Sequence, residues 1–69
     1  MIDSQDVKRF RQSVADKFTL NITDAQKLCA EWAKISHRNW QQWESGERRR
    51  INEASWELVH LKFKSAVND

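Results

Sequence analysis

Only Lys34 and Ile35 stand between Ala33, the last apolar residue of one helical pattern, and Ser36, a residue suited to cap the next helix. Two helices joined so tightly must cross steeply, and apolar residues from both have to seal the corner. Upstream, Thr23-Asp24-Ala25-Gln26 fits a capping box, with the Thr hydroxyl accepting from the backbone at Gln26 and the Gln side chain reaching back to Thr23. The helix predicted to begin there turns Leu28, Cys29, Trp32 and Ala33 inward. Downstream, a helix is predicted over residues 37–44, closed by Ser45 and Gly46, where glycine can take the left-handed conformation that ends many helices.

Two further helices flank this pair. Val7, Phe10, Val14 and Phe18 recur at spacings of three and four, which predicts a helix over residues 4–18 capped by Asp3 or Ser4. Thr19, Asn21 and Thr23 break the pattern and read as a loop, with Leu20 and Ile22 turned inward. Asn52 is a cap for a last helix over residues 53–66. That helix carries Trp56, Val59, Phe63 and Val67 on one side and Ala54, Leu58 and Leu61 nearly opposite, so it needs two partners. The chain has no Pro, no Tyr and one Gly, a composition that favours helices and predicts no sheet. The expected fold is all-α, a compact bundle of four or five short helices containing a helix-turn-helix, in a single domain over residues 1–69. A chain of 69 residues buries only about 60% of its unfolded surface, so the core is thin.

With Gln26 counted as the first position of the helix-turn-helix, the fourth, eighth, tenth, fifteenth and eighteenth are Cys29, Ala33, Ile35, Trp40 and Trp43, all apolar. The fifth is Ala30, small as the close approach of the helices demands. Over residues 26–46 the sequence resembles the Cro/repressor-type helix-turn-helix family, also called XRE-type, of phage, plasmid and bacterial regulators. Trp43-Glu44-Ser45-Gly46 corresponds to the Trp-Glu-X-Gly ending of that family's recognition helix, and WQQWESGERR over residues 40–49 is similar to short phage and plasmid regulators, including anti-CRISPR-associated repressors. There are two departures: Lys34 stands where the family usually has Gly, and the segment between the first helix and Gln26 is longer than usual.

With Trp40 and Trp43 inward, the helical wheel sends Arg38, Gln41, Gln42 and Ser45 outward, flanked by His37 and Asn39. Arg can contact guanine bidentately, and Gln or Asn can contact adenine, so Arg38, Gln41, Gln42, His37 and Asn39 are the expected base-reading set. The resemblance implies that Gln26 touches the DNA backbone, and free amides at a helix start favour phosphate in any case. Lys27, Lys34, Ser45, Arg48, Arg49 and Arg50 complete the expected phosphate contacts, which orient without reading sequence. Arg11 falls inside the apolar stripe of the first helix and needs a partner. The resemblance implies Glu44, giving a structural ion pair.

Competing chemistries fare less well. Twelve Lys and Arg against ten Asp and Glu leave a net charge of +2, too small by itself to identify a polyanion partner. Over residues 36–51, however, four arginines face two glutamates, a local basic spot that also reads as a plain solvated surface. One Cys and two His, His37 and His60, show no paired spacing for zinc, so no metal or cofactor is expected, and His60 reads as a packing residue. Cys29 reads as a small buried hydrophobe. Trp40, Trp43 and Trp56 lie on apolar stripes and read as core rather than base-stacking platforms, with Trp32 nearer an edge. Glu44 and Glu47 lack a deep pocket and a nucleophile, so no enzyme is expected. An ordinary helical hairpin would not require the capping, the apolar positions and the Trp-Glu-X-Gly ending together.

The expected function is a sequence-specific double-stranded-DNA-binding regulator, a homodimeric repressor or autorepressor of an inverted-repeat operator. Leu58 and Leu61 are the expected dimer contacts. A cytoplasmic location in a bacterial host is expected, with no membrane association and no small-molecule effector. The alternative is a small protein-binding inhibitor or adaptor that keeps the fold. Such a protein would present an exposed apolar cluster where this sequence has Arg38, Gln41 and Gln42.

Overall fold

The computed structural model describes residues 2–46 and 51–68, and every regular element among them is a helix: α1 Ser4–Phe18, α2 Ile22–Ala33, α3 His37–Ser45 and α4 Glu53–Asn68. Each start has an identifiable cap. Asp3 accepts from the Asp6 amide at 2.9 Å while the Asp6 carboxylate accepts from the Asp3 amide at 3.3 Å, a reciprocal box that starts α1. Ser36 Oγ accepts from the Asn39 amide at 3.1 Å, and Asn52 Oδ1 accepts from the amides of Ala54 and Ser55 at 2.9 and 3.3 Å.

The start of α2 differs from the sequence expectation. Asn21, not Thr23, is its cap, with Oδ1 accepting from the Asp24 amide at 2.8 Å, so the helix begins at Ile22. The Thr23–Gln26 box does not form because Asn is at least as good a cap as Thr and the Gln26 side chain is engaged elsewhere. One correction follows: Ile22 lies on the exposed first turn, 56% accessible, rather than inward. The segment between α1 and Gln26 keeps its length, but only residues 19–21 of it are a connection and the rest is the first turn of α2. Leu20 does pack against the core.

Helix α2 packs against all three others, and α1 also packs on α3. Its inner face is small: Ala25, Cys29, Ala30 and Ala33 are buried, which lets its neighbours approach closely. Large residues fill the remaining space. Val7, Phe10 and Val14 come from α1, Trp40 and Trp43 from α3, and Val59 from α4. The Phe10 ring lies 4.4–6.4 Å from His60, Phe63, Trp56 and Trp40, so a single residue of α1 joins the aromatic groups of α3 and α4. Trp32 is half-buried against Phe18 and Phe63, at ring separations of 6.1 and 6.0 Å. No helix among the described residues is long and apolar enough to cross a membrane.

Candidate functional site

The corner between α2 and α3 turns on one left-handed residue. Lys34 has φ 62°, and the Ile35 amide donates back to the Ala30 carbonyl at 3.0 Å, the long bond of a Schellman ending. Backbone reversal here places α3 with Trp40, Trp43 and Glu44 buried and Arg38, Gln41 and Ser45 exposed. Arg38, Gln41, Gln42 and Ser45 follow the i, i+3, i+4, i+7 spacing of one helix face and line a single shallow depression. Among the described residues, Arg38 and Gln41 form no hydrogen bond or ion pair within the chain, whereas Ser45 Oγ donates to the Gln42 carbonyl at 3.0 Å. The face offers guanidinium donors beside amides that can both donate and accept. Asn39 is half-buried at its edge.

Behind this face lies a polar chain. Arg11 Nε and Nη2 both lie 3.0 Å from Glu44 Oε1, with side-chain exposures of 12% and 7%. Gln26 Nε2 donates to Glu44 Oε2 at 2.7 Å, and His37 Nε2 lies 3.0 Å from Gln26 Oε1. Both carboxylate oxygens are thereby engaged, and α1, α2 and α3 are tied together. The Arg11–Glu44 pair is the one expected. The Gln26 and His37 links were not anticipated, although Gln26 shares a stripe with Cys29, Ala30 and Ala33 and so needed a partner as Arg11 did.

The phosphate expectation for Gln26 needs correction in its premise. With α2 starting at Ile22, Gln26 stands in the second turn, away from the free first-turn amides, and both ends of its amide are bonded inside the protein. His37, expected at the flank of the outward face, is half-buried against it. Lys27 and Lys34 are exposed, and Arg48, Arg49 and Arg50 lie outside the described residues.

Burial, and secondarily the charge of Glu44, push the Cys29 thiol up from its ordinary 9.0 to about 12, with Arg11 opposing. His60 on α4 is lowered by burial between the rings of Phe10 and Trp56. On that helix Leu61 is 65% exposed and Ala54 is exposed, but Leu58 is half-buried. The expected dimer strip is therefore divided. Trp56, Glu57, His60 and Leu61 line a shallow, mainly apolar groove there. No protein-family model, curated protein or solved structure matches the chain.

Proposed function

We propose that the chain is a sequence-specific double-stranded-DNA-binding regulator that inserts α3 into the major groove. The observation that carries this reading is the division of α3: Trp40, Trp43 and Glu44 fix it from behind while Arg38, Gln41, Gln42 and Ser45 share one outward face. A helix fits the major groove, and Arg with Gln matches the acceptor and donor pattern of guanine and adenine edges at about 1–3 kcal/mol per good pair. Lys27 on α2 and Lys34 at its end are exposed and would supply the phosphate contacts of this reading. The resemblance of residues 26–46 to Cro/repressor-type proteins supports repression by a homodimer on an inverted repeat. Leu61 is the apolar residue of α4 most available for association.

A second reading, a protein-binding adaptor, is favoured by the groove beside Trp56 and Leu61. Selection from a randomised duplex pool separates the two. DNA reading predicts an enriched inverted repeat, with half-sites about 34 Å apart, and an affinity that falls steeply with salt. An unenriched pool, or affinity indifferent to salt, leaves the adaptor reading.

A further inference from the structure

We propose that Gln26 is a positioning residue that holds His37 in its Nε2–H tautomer. His37 then meets DNA as a hydrogen-bond acceptor through Nδ1 and selects an exocyclic amino group, that of adenine or cytosine, in the major groove. The second half of this inference rests on the DNA-binding reading above; the first half does not.

The protonation pattern follows from the chain of bonds. Arg11 has only donors, so the Glu44 carboxylate beside it accepts and does not donate. Glu44 Oε2 at 2.7 Å therefore faces the amino end of Gln26, which fixes the otherwise ambiguous orientation of that amide. With its nitrogen committed to Glu44, Gln26 turns its oxygen toward His37. An amide oxygen can only accept, so His37 Nε2 must carry a proton. In a neutral imidazole one nitrogen donates and the other accepts, which leaves Nδ1 as the acceptor.

The placement makes this consequential. His37 opens α3 and stands four residues before Gln41, so the two are neighbours on the helix surface at the rim of the Arg38, Gln41, Gln42 and Ser45 face. Arg38 brings only donors and suits guanine, whose major-groove edge has only acceptors. A locked acceptor at the rim adds the opposite preference. It rejects guanine O6 and thymine O4 and accepts from adenine N6 or cytosine N4. A glutamine or serine, able to rotate, would not make that distinction.

Long-range proton–nitrogen NMR of the unbound protein, at about pH 8 where imidazoles are neutral, tests the lock without DNA. A pyrrole-type Nε2 and pyridine-type Nδ1 at His37 are expected, with the preference lost in Gln26→Leu. A dominant Nδ1–H form in the unaltered protein overturns the proposal. Pool selection then tests the reading. One half-site position should favour adenine or cytosine, and that preference should disappear in His37→Ala and relax in His37→Gln. Replacing the selected base by its analogue without the amino group should weaken the unaltered protein about fivefold and His37→Ala not at all. A guanine or thymine preference governed by His37 overturns the acceptor role. An Nε2–H tautomer with no enriched sequence overturns DNA reading while leaving the lock standing.

Discussion

Arg11 and Glu44 are separated by 33 positions in the sequence yet form the most deeply placed charge pair among the described residues. Burial makes the pair costly to break, because losing one partner leaves the other charged and desolvated at about 3–5 kcal/mol, a large share of a small domain's stability. Arg11→Met should therefore unfold much of the protein in thermal or urea melts. Adding Glu44→Leu should recover only part of the loss, since Gln26 Nε2 then loses its acceptor. Adding Gln26→Met should recover more. If Arg11→Met melts like the parent chain, the pair is not structural. Cys29 gives a second residue-scale prediction. Its thiol is neutral in the folded state up to about 12 but ionises near 9.0 when unfolded, so only the folded chain resists deprotonation. Stability should be untouched by this group below pH 9 and decline above it, and a Cys29→Ala variant should show a smaller alkaline decline. At neutral pH the folded protein should resist thiol alkylation until denatured.

Among the helices, strain collects at two ends. Thr19 and Lys34 both adopt left-handed backbone, at φ 55° and 62°, where an L residue is disfavoured by about 1–2 kcal/mol. Lys34→Gly and Thr19→Gly should each raise stability by about 0.5–1 kcal/mol after the entropy of the added glycine is counted, the threonine more because it is β-branched. A loss at either position would mean its side chain makes a compensating contact. These ends also mark what the sequence could reveal. The apolar spacing of Val7, Phe10 and Val14, the short Lys34–Ile35 turn and the Ser36 and Asn52 caps translate directly into helices, because each is a local rule. The start of α2 is less transparent. Asn21 and Thr23 are both valid caps, and the choice between them depends on where Gln26 bonds across the tertiary structure. The Gln26–His37 contact is hidden for the same reason, as it requires the corner to be built first.

At the scale of the whole molecule, α4 completes the core with Trp56, Val59 and Phe63 while leaving Leu61 in solvent. If Leu61 joins two copies, Leu61→Glu should yield a folded monomer by sedimentation, with operator affinity reduced at least tenfold. An unchanged oligomeric state would remove Leu61 from any interface. Leu58 is half-buried, so a charge there would disturb folding as well and cannot make the same distinction. The central claim is that α3 reads base edges through a face held rigid from behind. It is tested most directly by measuring the affinity of Arg38→Ala for the selected duplex and for random duplex at the same salt concentration. The account predicts a loss of about 1–3 kcal/mol on the selected site and little change on random DNA. Equal losses on both would reduce Arg38 to a phosphate contact and contradict it.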